Sequence, residues 1–158
     1  MKKIFFLLFF IFLTTPLISS NNEKEILTLK YQAVSVGQIS LAYRLIALST
    51  SLVIAKAVDS EYISGLLDNI DATIVNCKKI LSAGNDSPDK FTLEIYRGID
   101  YLLDCSKNVK KYSTLQSYDN LLSVRECIDK SEKIVEKLSE DYNKLSTGKN
   151  KFKSARPE

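Results

Sequence analysis

The chain has 158 residues, with 22 basic and 19 acidic side chains and a formal net charge of +3. This length suits one ordinary domain with a real hydrophobic core, and the charges form no clustered basic face of the kind that nucleic-acid binding needs. The sequence holds no histidine, which removes the commonest general base and metal ligand and excludes Ser/His/Asp and Cys/His catalytic sites. No phosphate-binding glycine motif is present. We therefore predict a protein that is not an enzyme and uses no cofactor or metal.

The first twenty residues have the pattern of a secretory signal peptide. Lys2 and Lys3 precede an unbroken apolar run over residues 4–13, and a small, polar segment follows over 14–20. The alternative is a membrane anchor, but spanning a bilayer takes about 20 apolar residues, and this run has half that length. We predict that residues 1–20 are cleaved, that the mature chain starts near Asn21 without a stable membrane span, and that it is secreted to the extracellular space.

A first helix is predicted over residues 23–58. Its main apolar stripe is Leu41, Leu45, Leu48 and Leu52, and the stripe is widened by Ile39, Tyr43, Ile46 and Val53. So broad an apolar surface is typical of a central helix that is buried on more than one side. Gly37 is predicted to kink or split this helix.

A second helix is predicted to start at Asp59 or Ser60, since either can cap a helix N-terminus. Its apolar stripe is Ile63, Leu66 or Leu67, Ile70, Ile74, Cys77 and Leu81. Gly84 occupies the position at which a glycine commonly ends a helix. A loop over 84–87 follows.

A third helix is predicted to start at Ser87-Pro88-Asp89, with serine as the cap, proline at the first helical position and an acid in the first turn. Its stripe is Phe91, Ile95, Ile99, Leu102 and Val109. The helix is expected to end over 110–113, where two lysines suit a helix C-terminus.

A fourth helix is predicted over 117–146, ending at Gly148, with the polar tail 149–158 disordered. Its stripe is Leu121, Val124, Ile128, Val135, Leu138, Tyr142 and Leu145. Four stripes with short connections predict an all-α fold, an antiparallel four-helix bundle over 21–148. The near-heptad spacing could also indicate a two-chain coiled coil, but the short loops and the broadly apolar first helix favour the bundle.

Three cysteines make one disulfide plausible in a secreted chain and leave one thiol over. Cys105 and Cys127 lie 22 residues apart across the hairpin of helices three and four, so a bond between them is our preferred prediction. A bond from Cys77 to Cys105 is equally permitted by the sequence. Cys77 lies on an apolar stripe, which predicts a buried free thiol.

Two polar motifs carry little functional weight. Asn85-Asp86-Ser87 is a glycosylation sequon in a predicted loop, but the following proline makes modification of Asn85 less favourable, and a turn with a helix cap explains it as well. Asp68 and Asp71 lie one helical turn apart, a spacing that arises by chance on any charged helix face.

Two parts of the chain resemble the plant invertase and pectin methylesterase inhibitor family. The alanine- and leucine-rich stretch ISLAYRLIAL over 39–48 leads through IAKA at 54–57 to ISGLL at 63–67, and YLLDC at 101–105 is similar to that family's leucine-x-aspartate-cysteine motif. The family's N-terminal cysteine pair has no counterpart, because residues 21–76 hold no cysteine. No inhibitory contact residue can therefore be assigned.

The resemblance implies a secreted, disulfide-stapled four-helix bundle that inhibits an enzyme by protein–protein binding. Its partner would be an extracellular glycosidase or pectin methylesterase, in the plant apoplast or cell wall. The alternative is a secreted structural or lipid-binding helical protein, in which the apolar surface of the first helix lines a ligand cavity.

Overall fold

The computed structural model describes residues 21–83 and 88–154, with side chains over 23–83 and 88–147. Four helices make up this part of the chain: α1 Asn21–Ile54, α2 Ser60–Ala83, α3 Lys90–Thr114 and α4 Tyr118–Ser154. No strand occurs in these ranges. The predicted all-α four-helix bundle is confirmed. The predicted signal peptide 1–20, the sequon at Asn85 and the stop at Gly84 lie outside the described residues.

Helix α1 is continuous through Gly37, so the helix is not split at this glycine, one of the two predicted alternatives. A glycine inside a helix costs roughly 1 kcal/mol relative to alanine, but it does not break the hydrogen-bond ladder. The packing of a 34-residue helix against its neighbours outweighs that cost.

The turn between α1 and α2 is a Schellman turn that ends α1 at Ile54, four residues earlier than predicted. Lys56 adopts the left-handed conformation with φ of 53°. The Ala57 amide donates to the Leu52 carbonyl at 3.0 Å, and the Lys56 amide donates to the Val53 carbonyl at the same distance. Asp59 then caps α2 by accepting from the Tyr62 amide at 2.7 Å, as the sequence predicts.

The start of α3 differs from the prediction in its capping residue. The cap is Asp89, whose backbone is extended and whose carboxylate accepts from the Thr92 amide at 2.7 Å. Pro88 therefore precedes the cap instead of occupying the first helical position. An aspartate cap satisfies the same free amides that a serine cap would. The predicted and the observed helix starts therefore lie within three residues of each other.

Helix α4 begins after Ser117, whose hydroxyl accepts from the Asn120 amide at 3.2 Å. It continues past Gly148 to Ser154, so the predicted helix end and the start of the predicted tail are both too early. Gly148 does not end the helix because a single glycine lowers helix stability without preventing helical geometry. Residues 155–158 lie outside the described part of the chain.

Only one pair of diagonally opposite helices in the described bundle is in contact. Helices α1 and α3 contact each other and both remaining helices, whereas α2 and α4 do not contact each other over their described residues. The buried line of α1 alternates large and small side chains: Ile39, Ile46 and Val53 with Ser35, Ala42 and Ser49. Helix α1 thus buries one line of side chains while it contacts all three other described helices. The predicted central position of the first helix is confirmed.

Half of the leucine stripe of α1 faces solvent, contrary to the prediction, and the other half packs at the edge of the core. Leu41 and Leu48 are exposed, and Leu45 and Leu52 are only partly buried. The residues predicted merely to widen the stripe, such as Ile46, are the ones that are buried. Both sets share the same helical spacing, so periodicity alone could not rank them.

Candidate functional site

Helices α3 and α4 pack in a register that repeats every seven residues along α3. At one end the rings of Phe91 and Tyr142 lie 6.4 Å apart between centroids. One heptad further along α3, Gly98 faces α4 so closely that an added Cβ would lie 3.0 Å from Leu138 Cδ1. The next heptad step is Cys105, and the antiparallel register places Cys127 opposite it.

Cys105 and Cys127 form a buried pair between α3 and α4. A hydrogen bond from Cys105 to Cys127 is the main reason that the pKa of Cys105 is raised and that of Cys127 is lowered. Hydrogen bonds from Asn108 and Tyr101 also lower the pKa of Cys127. Burial, together with these two sulfur atoms, raises the pKa of Tyr101 to about 12.

All three cysteines are thiols in this structure, and all three are buried. The Cys105–Cys127 bond stays a prediction, but the geometry brings these two residues together. Cys77 lies on the core face of α2, where burial raises its pKa to about 11. Burial, and not a neighbouring thiol, dominates that shift.

The two aspartates singled out by their spacing are joined by a lysine from another helix. Lys110 Nζ of α3 lies 2.7 Å from an oxygen of Asp68 and 2.6 Å from an oxygen of Asp71, both on α2. Burial opposes the charge on Lys110, but the hydrogen bonds to the two carboxylates outweigh it and raise the pKa of the lysine. This arrangement ties α2 to α3 and is not a pair of free acids.

Among the described residues, the most exposed large apolar side chains lie at the end of the bundle that carries both the α1–α2 and the α3–α4 turn. We call this the turn-end surface and define it by residues 56–59 with Tyr62, Leu66, Leu115 and Tyr118. The exposed fractions are 59% for Tyr62, 60% for Leu115 and 73% for Tyr118. Tyr62 also lines two shallow, open hollows beside the Schellman turn, one with Gly65, Leu66 and Asn69, the other with Lys56, Ala57 and Val58.

No motif in the sequence directly indicates the turn-end surface. Its aromatic residues lie within one or two turns of predicted helix ends, where apolar periodicity says little about whether a side chain is buried. The signal that could have found them is the presence of Tyr62, Leu115 and Tyr118 beside connections that otherwise consist of small and polar residues.

A metal site and a membrane span are two further possibilities for the described residues. No group of three or more histidine, cysteine, aspartate or glutamate side chains there could hold a metal ion. The stretch Glu23–Ile54 of α1 has the length and hydropathy of a membrane span. A core helix passes the same test, and in this structure α1 packs against three other helices.

Comparison with known proteins does not add a relative. The chain matches no family model, no curated protein and no solved structure. The resemblance to the invertase and pectin methylesterase inhibitors therefore rests on the sequence motifs alone.

Proposed function

We propose that this chain is a secreted helical bundle that binds another protein and inhibits it, the target being an extracellular carbohydrate-active enzyme of the invertase or pectin methylesterase type. The observation that carries the proposal is the turn-end surface. The kind of target comes from the family resemblance of residues 39–67 and 101–105, and it is tested separately below.

The turn-end surface has the composition of a protein-binding surface. Tyrosine is enriched in protein interfaces and at their energetic hot spots, because it supplies a large, rigid and partly polar contact area. Two side chains of this type, Tyr62 and Tyr118, stand out at the same end of the bundle together with Leu115.

The backbone beneath these side chains is well fixed. The Schellman turn is held by two backbone hydrogen bonds of 3.0 Å, and Asp59 caps the helix that carries Tyr62. On the other side, the Asn120 side chain donates to the Leu115 carbonyl at 2.8 Å. A surface that is ordered before binding loses less conformational entropy when its partner docks.

The alternative function is a secreted structural or lipid-binding protein. The observation in its favour is the outward face of α1, which keeps several large apolar side chains in solvent. Mass spectrometry of the purified protein under native conditions distinguishes the two, since a lipid carrier should retain a bound lipid.

The proposal is tested with the mature chain, residues 21–158, in inhibition assays against invertase and pectin methylesterase. A pull-down from an extracellular extract, followed by identification of the captured proteins, covers other targets. The paired substitution Tyr62→Ser and Tyr118→Ser should weaken inhibition or capture by about thirtyfold or more, the effect of losing one hot spot. Leu93→Ser, which changes an exposed apolar residue on α3 away from the turn-end surface, is the control and should bind like the wild type.

Two results would contradict the proposal at different levels. Capture of a partner that is not a carbohydrate-active enzyme would remove the inhibitor assignment and keep the binding surface. Equal binding by the tyrosine variant and the wild type would remove the turn-end surface itself.

A further inference from the structure

The outward face of α1 is mostly apolar, whereas the solvent face of the described part of α4 is mostly charged. Leu27, Val34, Leu41 and Leu48 recur every seven residues along it, and all four are exposed. Over residues 31–55 the only charged side chain is Arg44. On α4, by contrast, every exposed residue from 125 to 140 is charged. A charged face needs no partner, whereas an exposed apolar stripe of this length indicates an interface.

Large and small residues alternate along this face. Gly37 lies between Val34 and Leu41, and Ser51 follows Leu48 by three residues, so each lies on the same exposed side of the helix. A Cβ added at Gly37 would meet no atom within 4 Å, so the glycine leaves an open notch. The Ser51 hydroxyl donates to the Ala47 carbonyl at 3.1 Å and needs no water to satisfy it.

The pattern is self-complementary when two such faces meet in opposite directions. If Leu41 of one copy sits in the Gly37 notch of another, a two-fold axis makes the reciprocal contact at once. The same register sets Leu27 against Ser51 at both ends. Leu27 and Leu41 thus meet small residues, as in interdigitating helices, while Val34 and Leu48 lie opposite the long side chains of Arg44 and Lys30.

We propose that a second copy of this chain covers the outward face of α1, forming an antiparallel, two-fold symmetric dimer. From Leu27 to Ile54 the helix is about 40 Å long, and with a width of about 10 Å it offers roughly 400 Å² on each copy. Stable complexes bury about 1,200–2,000 Å² in total, so this dimer is weak and forms in a concentration-dependent way. It goes beyond the proposed function and leaves the turn-end surface of each copy free, at opposite ends of the particle.

Sedimentation velocity of the mature chain from about 1 µM to 1 mM tests the proposal, over the affinity range typical of small interfaces. The expected result is a monomer–dimer equilibrium that Leu27→Glu with Leu41→Glu weakens at least tenfold. The matched control is Leu93→Glu with Leu122→Glu, which places the same charges at apolar positions of α3 and α4 with similar exposure. It should leave the equilibrium unchanged.

A second pair of variants guards against loss of folding. Gly37→Leu fills the notch and should weaken the dimer, whereas Gly65→Leu fills open space on α2 and should not. A chain that stays monomeric throughout the range would overturn the proposal. So would equal weakening by the α1 and control variants, and so would a monomer that binds phosphatidylcholine vesicles through Leu27 and Leu41.

Discussion

Cys77 shows how burial alone changes the chemistry of one residue. Its pKa is raised from 9.0 to about 11 because the thiolate would have to form inside the core. The folded protein therefore keeps this thiol protonated at a pH where the unfolded chain already ionises it.

We expect Cys77 to give the protein an alkaline instability. A pKa raised by folding stabilises the native state fully below pH 9.0, and this contribution is lost as pH rises through about 11. At 1.36 kcal/mol per unit, the loss is about 3 kcal/mol. Urea unfolding at pH 8 and pH 11 should show this loss in the wild type, and Cys77→Ala should lack it. An identical pH dependence of the two proteins would mean that the thiol is not buried in solution.

The second prediction concerns Cys105 and Cys127. In an oxidising compartment their side chains should lose two hydrogens and form a disulfide, leaving one free thiol at Cys77. Peptide mapping with thiol labelling before and after denaturation checks both statements. Relative to the oxidised protein, Cys127→Ser should lower the free energy of unfolding by about 2–5 kcal/mol.

The control for this bond is its other partner. Cys105→Ser should cost about as much as Cys127→Ser, and the double variant should cost little more than either, because one bond is lost in all three. A Cys77–Cys105 peptide in the map would refute the pairing without affecting the bundle.

At the scale of an element, the α1–α2 turn holds a lysine where glycine fits better. A left-handed conformation costs an L-residue roughly 1–2 kcal/mol, and Lys56 accepts that cost to complete the Schellman turn. Lys56→Gly should therefore raise the free energy of unfolding by up to about 1 kcal/mol. Lys79→Gly, inside α2, should lower it by a similar amount. Thermal unfolding followed by circular dichroism gives both signs, and a destabilising Lys56→Gly would contradict the turn geometry.

Gly98 and Gly65 form a matched pair within helices. Gly65→Ala should stabilise by roughly 0.5–1 kcal/mol, since its new Cβ meets open space. At Gly98 the same change places a Cβ 3.0 Å from Leu138 Cδ1 and 3.3 Å from Ile134 Cγ2, which offsets the gain. Gly98→Val should cost about 1–3 kcal/mol by overpacking. Equal stabilisation by alanine at both sites, measured in urea, would show that α3 and α4 are further apart than the structure has them.

The sequence predicts the four helices well because apolar periodicity and capping residues act locally. The errors have one physical origin. Gly37 and Gly148 were assigned as breaks, but a glycine only weakens a helix, and packing decides whether it ends. The choice between Leu48 and Ile46 for the core also depends on where the other helices pack, which the helical spacing of α1 does not contain. The turn-end surface combines two connections that are more than fifty residues apart, so no local pattern contains it.

At the scale of the whole molecule, the predicted signal peptide determines which residues form the secreted protein. Residues 21–154 hold the four described helices and the buried side chains named above. N-terminal sequencing of secreted protein should therefore start near Asn21, and that form should show a strongly helical circular dichroism spectrum. A start at Met1 would mean that the apolar segment is retained.

The two outer helices, α2 and α4, are not directly coupled in their stability. Because α2 and α4 do not touch over their described residues, the free energy needed to detach one contains no direct term from the other. Each can open while the α1–α3 pair stays assembled, so amide protons on α2 and α4 should exchange through separate local openings. Damage to α2 is then not relayed to α4 except through the central pair.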